Sequence, residues 1–542
     1  MKKFVCVAAL IACASVFMLT LPAFGQIKMP VAGAVAQKMS PSGRTVLSNA
    51  VERTPEQMDR FEATFASSGA REVTFRPTIP MDQYRAMKAS FGASSSVGKP
   101  GMDSPQPLHG ITGALAFPGG IQTDNTTVGQ PLWYPPDAAG AVGSSQFVQT
   151  LNDYMKVYSK AGLLLQQRSI QAMMGSAAYT FDPRVQWDPV WGRWVMTADS
   201  FDDGLGHQYF YIAVSKTASA TGAWWVYSLN TYAITGGTGV NFWDYPALGM
   251  DQDGLIFTAN VFSNSSGAYQ GAWIFSVAKG QVYNGRGQGI SWFSGLANTL
   301  MPPMVQKADL NGYAWISMSW PSAGQVYMLA LSNSSTPDTE NLFAYYFVTN
   351  VTAYTYPPLA PQTCGGVSSG YGIDTLDARF QNAGTQIGDR YYQAQAIGLG
   401  TSSFPFIHYY VINGLNGFAP NAVEQGTFFA SSSSFDFNPS IAADNLGNIV
   451  VGWSATDPAA GLNSEVRYVG KQSADAALSG AVGASLNNSG SCLAGNYQSG
   501  IQRWGDYSQV SVDPSTAKTF WVHNENIFNT SYWGTEFGKV HF

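Results

Sequence analysis

One short grammar recurs along this chain, and it limits the fold more than any other feature. Trp243-Asp244-Tyr245-Pro246-Ala247-Leu248-Gly249-Met250-Asp251, Phe435-Asp436-Phe437-Asn438-Pro439-Ser440-Ile441-Ala442-Ala443-Asp444 and Gly505-Asp506-Tyr507-Ser508-Gln509-Val510-Ser511-Val512-Asp513 share an order. An Asp beside an aromatic residue is followed by a small or Pro residue, a short apolar strand and a second Asp. Related starts fall near Asp137, Asp182, Met301 and Asp377, so successive units begin 45 to 76 residues apart. That spacing suits one four-stranded sheet per unit with loops of varying length, which is the pattern of a β-propeller. Seven starts predict seven blades. A two-sheet sandwich is the other architecture that many short strands allow.

Within the second unit, Arg184–Trp187, Arg193–Thr197, Tyr209–Ser215 and Trp224–Ser228 read as four strands in sequence. Asp188-Pro189, Asp253-Gly254, Asn311-Gly312, Gly447-Asn448 and Asp513-Pro514 occupy the first hairpin turn of their units, where Gly, Asn and Asp tolerate the required dihedrals. Asp251-Gln252-Asp253-Gly254 has the look of a calcium loop, but Phe262 stands where such a loop needs its bidentate Glu, so a turn explains it better. The last unit has 37 residues from Asp506 onward, enough for about three strands. Gly113–Phe117 is a suitable fourth strand to close the ring, whose edge would otherwise expose unpaired backbone groups.

Composition supports an exported all-β protein. Of 542 residues, 45% are apolar and only 11% charged, with 27 Tyr, 31 Phe and 15 Trp. Met1-Lys2-Lys3, the apolar run Phe4–Leu19 and Leu21-Pro22-Ala23-Phe24-Gly25 follow signal-peptide order, with cleavage expected after Gly25. Leu10-Ile11-Ala12-Cys13 also resembles a lipoprotein box, but apolar sequence continues past Cys13. No later apolar run is long enough to span a bilayer, so stable membrane insertion is not expected. The formal charge of −6 becomes −8 once Lys2 and Lys3 leave, which argues against a nucleic-acid partner. Cys6 and Cys13 leave with the signal peptide. Cys364 and Cys492 then form one disulfide or stand as two separate thiols.

Residues 26–110 differ in texture and predict a small α+β appendage before a propeller over 111–542. Thr54-Pro55-Glu56 starts a helix carrying Met58, Phe61 and Phe65 on one face as far as Gly69. Glu72–Phe75 reads as a strand and Asp82 as the cap of a second helix bearing Tyr84 and Met87. Ala93–His109, rich in Ser, Gly and Pro, reads as a linker. The appendage is either a cleavable prosegment or a packing arm.

Pro135-Pro136-Asp137-Ala138-Ala139-Gly140-Ala141-Val142-Gly143, Val214-Ser215-Lys216-Thr217, Trp243-Asp244-Tyr245-Pro246 and Arg503-Trp504-Gly505-Asp506-Tyr507-Ser508 resemble motifs of uncharacterised exported bacterial proteins similar to sialidase-type β-propellers. The resemblance covers roughly 111–542 and implies fold and export, but no activity. Asp444-Asn445-Leu446-Gly447-Asn448 with Trp453 is a loose Asp-box turn. The Arg-Ile-Pro motif of sialidases is missing at the first units, so no tyrosine nucleophile carries over by position.

In a propeller, residues just before each innermost strand converge beside the axis. Asp137, Asp182, Asp244, Asp377, Asp436 and Asp506 hold that place, with Arg184, Arg379 and Arg503 in three units. Guanidinium forks grip carboxylates, and Asp or Tyr can move protons, so the set predicts a funnel that binds an acidic extracellular polysaccharide and has groups to cleave it by hydrolysis or elimination. The ligand-binding candidates are Arg184, Arg379, Arg503, Asp182, Asp244, Asp377 and Asp436; the catalytic candidates are Asp506, Tyr507 and His207. His207, in the loop after Asp202-Asp203-Gly204-Leu205-Gly206, would be the general base, paired with Tyr507. Asx-turns and blade wedges are the structural alternative for the Asp and Tyr residues. Trp224-Trp225 and Tyr391-Tyr392 could stack on sugars or fill space between blades. No metal-ligand spacing, serine-hydrolase elbow, phosphate loop or dinucleotide fingerprint occurs, so no metal and no cofactor is expected. The competing function is a non-catalytic surface or matrix adhesion module whose protein partner docks on loops between Ser332 and Gly370. A peptidase with a prosegment is a third reading.

Overall fold

The computed structural model describes residues 27, 36–66, 69–90, 99, 111–365, 370–400, 402–494, 497–498 and 501–542. The expected signal peptide and nearly all of the expected linker lie outside them. The described chain is mostly β-strand with few helices. No helix among the described residues is long and apolar enough to cross a membrane.

The strands form successive antiparallel meanders. The first comprises Ala139–Val142, Gln146–Leu151, Tyr154–Ser159 and Leu164–Ser169, and the second Thr180–Asp188, Arg193–Ser200, Tyr209–Ser215 and Trp224–Asn230. The third runs from Asn241–Met250 to Gln288–Leu296, the fourth from Leu300–Met301 to Asn341–Phe347, and the fifth from Thr385–Ile387 to Asn421–Phe429. The sixth runs from Phe435–Ala443 to Ala484–Ser489. The last has Gln509–Val512, Thr519–Asn529 and Tyr532–His541, and Gly113–Ile121 supplies its fourth strand, as its sequence suggests.

The meanders pack face to face in chain order, because each strand alternates large apolar side chains toward both neighbours. Val148, Met155 and Val157 of the first meet Val185, Met196 and Trp224 of the second. Phe210 and Ile212 of the second meet Trp243, Phe257 and Phe275 of the third. The order closes on itself where Phe147 and Tyr158 of the first stack against Trp521 and Phe537 of the last. The innermost strands also contact one another in that order, with Gln509–Val512 against Ala139–Val142.

The far ends of four innermost strands turn on an Asp whose carboxylate caps the hairpin. Asp188 Oδ1 accepts from the backbone N–H of Val190 and Trp191, and Asp513 Oδ1 from Ser515 and Thr516. Asp251 Oδ1 accepts from Asp253 and Gly254, so that loop is a hairpin turn. Asp444 Oδ1 accepts from Leu446 and Asn448. These are Asx-turns built by local sequence.

The N-terminal residues stitch the ring from outside. Gln37–Met39, Gly43–Leu47 and Val51–Arg53 add edge strands to the fourth, third and second meanders in turn. The Thr54 capping box starts the helix Pro55–Glu62, which ends seven residues short of Gly69. The expected strand Glu72–Phe75 is instead Ala70–Glu72, paired in parallel with Leu132–Tyr134. The second helix spans Met81–Ser90 with Asp82 in its first turn. Cys364 and Cys492 are joined in a disulfide with a Cα–Cα distance of 6.2 Å. After Ser332 the chain is anchored by the buried Val348, Tyr354, Leu359 and Ala360, while Asn333, Asp338, Asn350 and Thr352 are exposed.

Candidate functional site

At the near end of the innermost strands the backbone repeats an uncommon feature. Asp137, Asp182, Tyr245, Ala378 and Asn438 all have left-handed φ, between 43° and 61°. Three of them precede Pro. The pairing register shifts between Phe181 and Arg184, Asp244 and Ala247, and Phe437 and Ser440, so each strand begins with a bulge. Non-glycine residues in this region cost of order 1 kcal/mol or more, and they cluster at ligand and catalytic sites. The bulge turns side chains inward that a regular strand would direct between sheets.

These side chains form a buried centre of carboxylates and guanidiniums. Arg503 Nη2 donates to Asp506 Oδ1 at 2.9 Å, and Arg379 grips Asp377 through Nε and Nη2 at 2.7 and 2.8 Å. Asp506 N donates to Asp137 Oδ1 at 2.7 Å, and the Tyr507 hydroxyl donates to Asp182 Oδ2 at 2.8 Å. Asn152 ties two units together: its Nδ2 donates to Asp137 Oδ2 while its Oδ1 accepts from Asp182 N. Glu525 accepts from Gly505 N, and Asp199 lies fully buried nearby. Arg184 lies with its guanidinium 3.6 Å from the Tyr507 ring centroid, and its Nη2 donates to Gln381 O.

Burial dominates the electrostatics. It raises the Asp506 carboxyl to about 7 against the pull of Arg503. It raises Asp137, and with Asp137 and Asp244 beyond it raises Asp182 much further. Asp199 and Glu525 are also pushed well up by burial. Burial pushes Asp377 up too, but the charge and hydrogen bonds of Arg379 outweigh it and hold that carboxyl below its ordinary value. The centre therefore sets carboxyls of raised proton affinity beside one whose proton affinity is lowered.

The expected open funnel is absent at this end. Asp182, Asp377, Asp436, Asp506, Arg379 and Arg503 are each at most 4% exposed, and Asp244 is 5%. Residues 70–90 lie over them. Phe75 sits between the Arg379 and Arg503 guanidiniums and packs on Tyr84. Arg76 Nη1 pairs with Asp244 at 3.0 Å, and the Tyr84 hydroxyl donates to Asp374. Lys88 Nζ is sealed, donating to the carbonyls of Pro357 and Leu376 and to Thr375 Oγ1. Lys99 Nζ reaches Asp436 at 3.2 Å and Ser434.

The sequence candidates thus divide. Asp182, Asp377, Asp506, Tyr507, Arg379 and Arg503 are brought into one centre. Asp244 is paired with Arg76 of the covering segment, and Asp436 with Lys99. His207 Nδ1 lies 2.8 Å from Asp203 Oδ2 in an outer loop and is not brought to Tyr507, whose hydroxyl is engaged by Asp182. Trp224 and Tyr391 are buried between meanders. Sequence reasoning missed Phe75, Arg76, Lys88, Asn152, Asp199 and Glu525. Only the four-residue spacing of Tyr84 and Lys88 on a predicted helix carried a signal.

No family model matches the chain, and no curated protein matches it. Solved structures do. A Penicillium chrysogenum alpha-L-arabinanase complexed with arabinobiose is similar at 12% identity and TM-score 0.33, over 62% of this chain and 96% of that one. Trypanosoma rangeli sialidase is similar at 9% identity and TM-score 0.30, over 75% and 58%. The Fusarium graminearum alpha-L-arabinofuranosidase Arb93A is similar at 10% identity and TM-score 0.31, over 82% and 95%. Similarity at this level transfers no residue role to this chain.

Proposed function

We propose that the meanders are the blades of a seven-bladed β-propeller, and that the protein is exported to bind and cleave an acidic extracellular polysaccharide at the carboxylate–guanidinium centre. One observation carries this reading: Asp506, whose carboxyl burial raises to about 7, stands with the buried Asp137 and Asp182 beside Asp377 and the Arg379 and Arg503 guanidiniums, on strands whose starts are conformationally strained. Cleaving a glycosidic bond requires a carboxylic acid that donates a proton and a second carboxylate that acts as base or nucleophile. Acidic sugars would be held by the guanidiniums. Asp506 is the acid in this reading, because burial keeps its proton near neutral pH and Arg503 fixes its orientation. Residues 70–90 cover the centre, so substrate enters only when they move aside.

The test uses the full chain with Phe75→Ala and Arg76→Ala together, assayed for binding and depolymerisation of polyuronates. The opened variant should bind and shorten them, and adding Asp506→Asn should remove cleavage while leaving binding. Absence of acidic-glycan binding by both the intact and the opened chain overturns the reading. The competing reading, a non-catalytic interaction module, draws on the sealed state of the centre. Capture of a protein partner that survives Arg379→Ala and Arg503→Ala, with no glycan bound, favours it.

A further inference from the structure

A second site lies at the opposite end of the ring axis. There a cavity of about 590 Å³ opens among the Asx-turns, within the size range of small-molecule sites. Its floor is polar, formed by Arg184, Gln186, Asn382 and Gln509. Its walls carry an apolar strip, with Val142, Met250, Met304, Val305, Ile441 and Val510, among the polar Gln306, Thr385, Ser440 and Ser511. Val190 and Leu446 at the rim are 62% and 65% exposed. The cavity does not include Asp137, Asp182 or Asp506 and meets the covered centre at Arg184, whose guanidinium lies on the Tyr507 ring.

Arg184 makes this floor unusual. It is 5% exposed, yet among the described residues no carboxylate pairs with it. The other buried arginines are each paired: Arg168 with Asp59, Arg379 with Asp377 and Arg503 with Asp506. Among the described residues Arg184 has only the Tyr507 ring face, the Gln381 carbonyl and the Met301 sulfur, and its Nη1 has no hydrogen-bond partner there. A buried cation without a counter-charge is costly unless an anion completes it. Beside it, Gln186 accepts from Gln509 through Oε1, and its own Nε2 donates to no group among the described residues. The rim carboxylates do not supply the missing charge. Asp188 is taken by Lys279 and the Tyr283 hydroxyl, Asp513 by Lys160 and the Trp521 indole, Asp444 by Asn448, and Asp251 by its own turn and Ser334.

We infer that this cavity binds an organic monocarboxylate with an aliphatic body, its carboxylate toward Arg184 and the Gln186 amide and its chain along the methionine and valine walls. The inference is independent of the polysaccharide reading, since it concerns the other end of the axis.

The experiment titrates the full-length protein with decanoate, reading the fluorescence of Trp187 in the cavity wall and calorimetric heat, with decanol and decyltrimethylammonium as head-group controls. Decanoate should bind saturably and raise Tm, and the two controls should bind at least tenfold more weakly. Arg184→Gln removes a charge-assisted contact and should weaken decanoate by roughly ten- to a hundredfold. Because Arg184→Gln could disturb the core, Val305→Trp provides a second variant: it fills the cavity from a half-buried wall position and should abolish binding with the fold intact. Equal binding of decanol and decanoate overturns the carboxylate assignment. Binding unaffected by Val305→Trp places the ligand elsewhere and overturns the site, as does failure of the intact protein to bind decanoate.

Discussion

Phe75→Ala tests whether residues 70–90 are a separable cover over the carboxylate centre. Phe75 is 3% exposed, its ring lies 5.2 Å from that of Tyr84, and the Arg379 and Arg503 guanidinium carbons lie 5.0 and 5.3 Å from its centroid. Truncating a buried Phe to Ala costs about 3–5 kcal/mol. The segment is also tied by the Arg76–Asp244 pair, 27% open to solvent on the Arg side, the Tyr84–Asp374 hydrogen bond, the Lys88 anchor, the pairing of Ala70–Glu72 with Leu132–Tyr134 and the burial of Val73 against Trp133 and Phe242. None of the ring's inter-sheet clusters depends on Phe75, which packs with Tyr84 and Leu376. The loss should therefore fall on docking of the segment, raising its opened population by about two to four orders of magnitude at tenfold per 1.4 kcal/mol. Hydrogen exchange read by mass spectrometry should show amides of 81–90 losing protection by that factor, while Gly254–Ser263 and Ile449–Asp457 within the ring keep theirs. Equal loss across those inner strands would refute the argument, because cover and ring would then unfold as one unit.

Two further outcomes follow from buried groups and from the crosslink. Asp153 is raised by burial to about 8, so its folded form keeps a proton that the unfolded chain releases near 4. Stability from this group is full below about pH 4 and is lost as pH rises toward 8, so Tm should fall between pH 6.5 and 8, and Asp153→Asn should flatten that slope. His408, lowered by burial to about 4, and His523, lowered to about 3, act oppositely below pH 6.5, where the unfolded imidazoles gain protons first; melting curves across pH 3–9 separate the two effects. The Cys364–Cys492 disulfide closes a separation of 128 residues, so Cys364→Ser with Cys492→Ser should cost up to about 5 kcal/mol in denaturant titrations, and no change would mean the unfolded chain gains nothing from the loop being closed.

The ring was legible because its punctuation is local. Asp188, Asp251, Asp444 and Asp513 build turns from their own neighbours, and Gly113–Ile121 announces itself by following a linker and facing a last unit short of a strand. Gln37–Met39, Gly43–Leu47 and Val51–Arg53 were not legible, since each is five residues or fewer, largely exposed, and defined by an edge far along the chain. In the candidate site, the Asp377–Arg379 and Arg503–Asp506 pairs are two and three residues apart and could be read as pairs. The covering role of Phe75 and Arg76 could not, because no periodicity marks a residue that crosses the ring in an irregular segment. Arg184 carried the same pattern as Arg379 and Arg503, yet it faces the other cavity: Asp182 is held by Tyr507 and Asn152, leaving its neighbour two residues on without a carboxylate.

The two ends of the innermost strands also weigh the functional reading of the centre against a purely architectural one. Both ends place an Asp in nearly every unit, so the fold alone could account for either set. At the turn end each carboxylate is spent on its own hairpin, on a neighbouring indole or on a lysine, which is how a structural Asp satisfies its oxygens. At the centre Asp182 Oδ1, Glu525 Oε1 and both Asp199 oxygens have no hydrogen-bond partner among the described residues, burial raises the pKa of all three groups, and five residues hold left-handed backbone to bring the set together. A ring needs none of this to close. Replacing Asp182 by Asn should therefore leave stability unchanged or raised, because it removes a carboxyl that burial and its acidic neighbours already force to stay neutral, and it should reduce any cleavage seen in the opened protein. Melting temperature and polyuronate cleavage measured on the same Asp182→Asn protein decide the matter: a marked fall in Tm assigns Asp182 to architecture, and a stable protein with impaired cleavage assigns it to the chemistry.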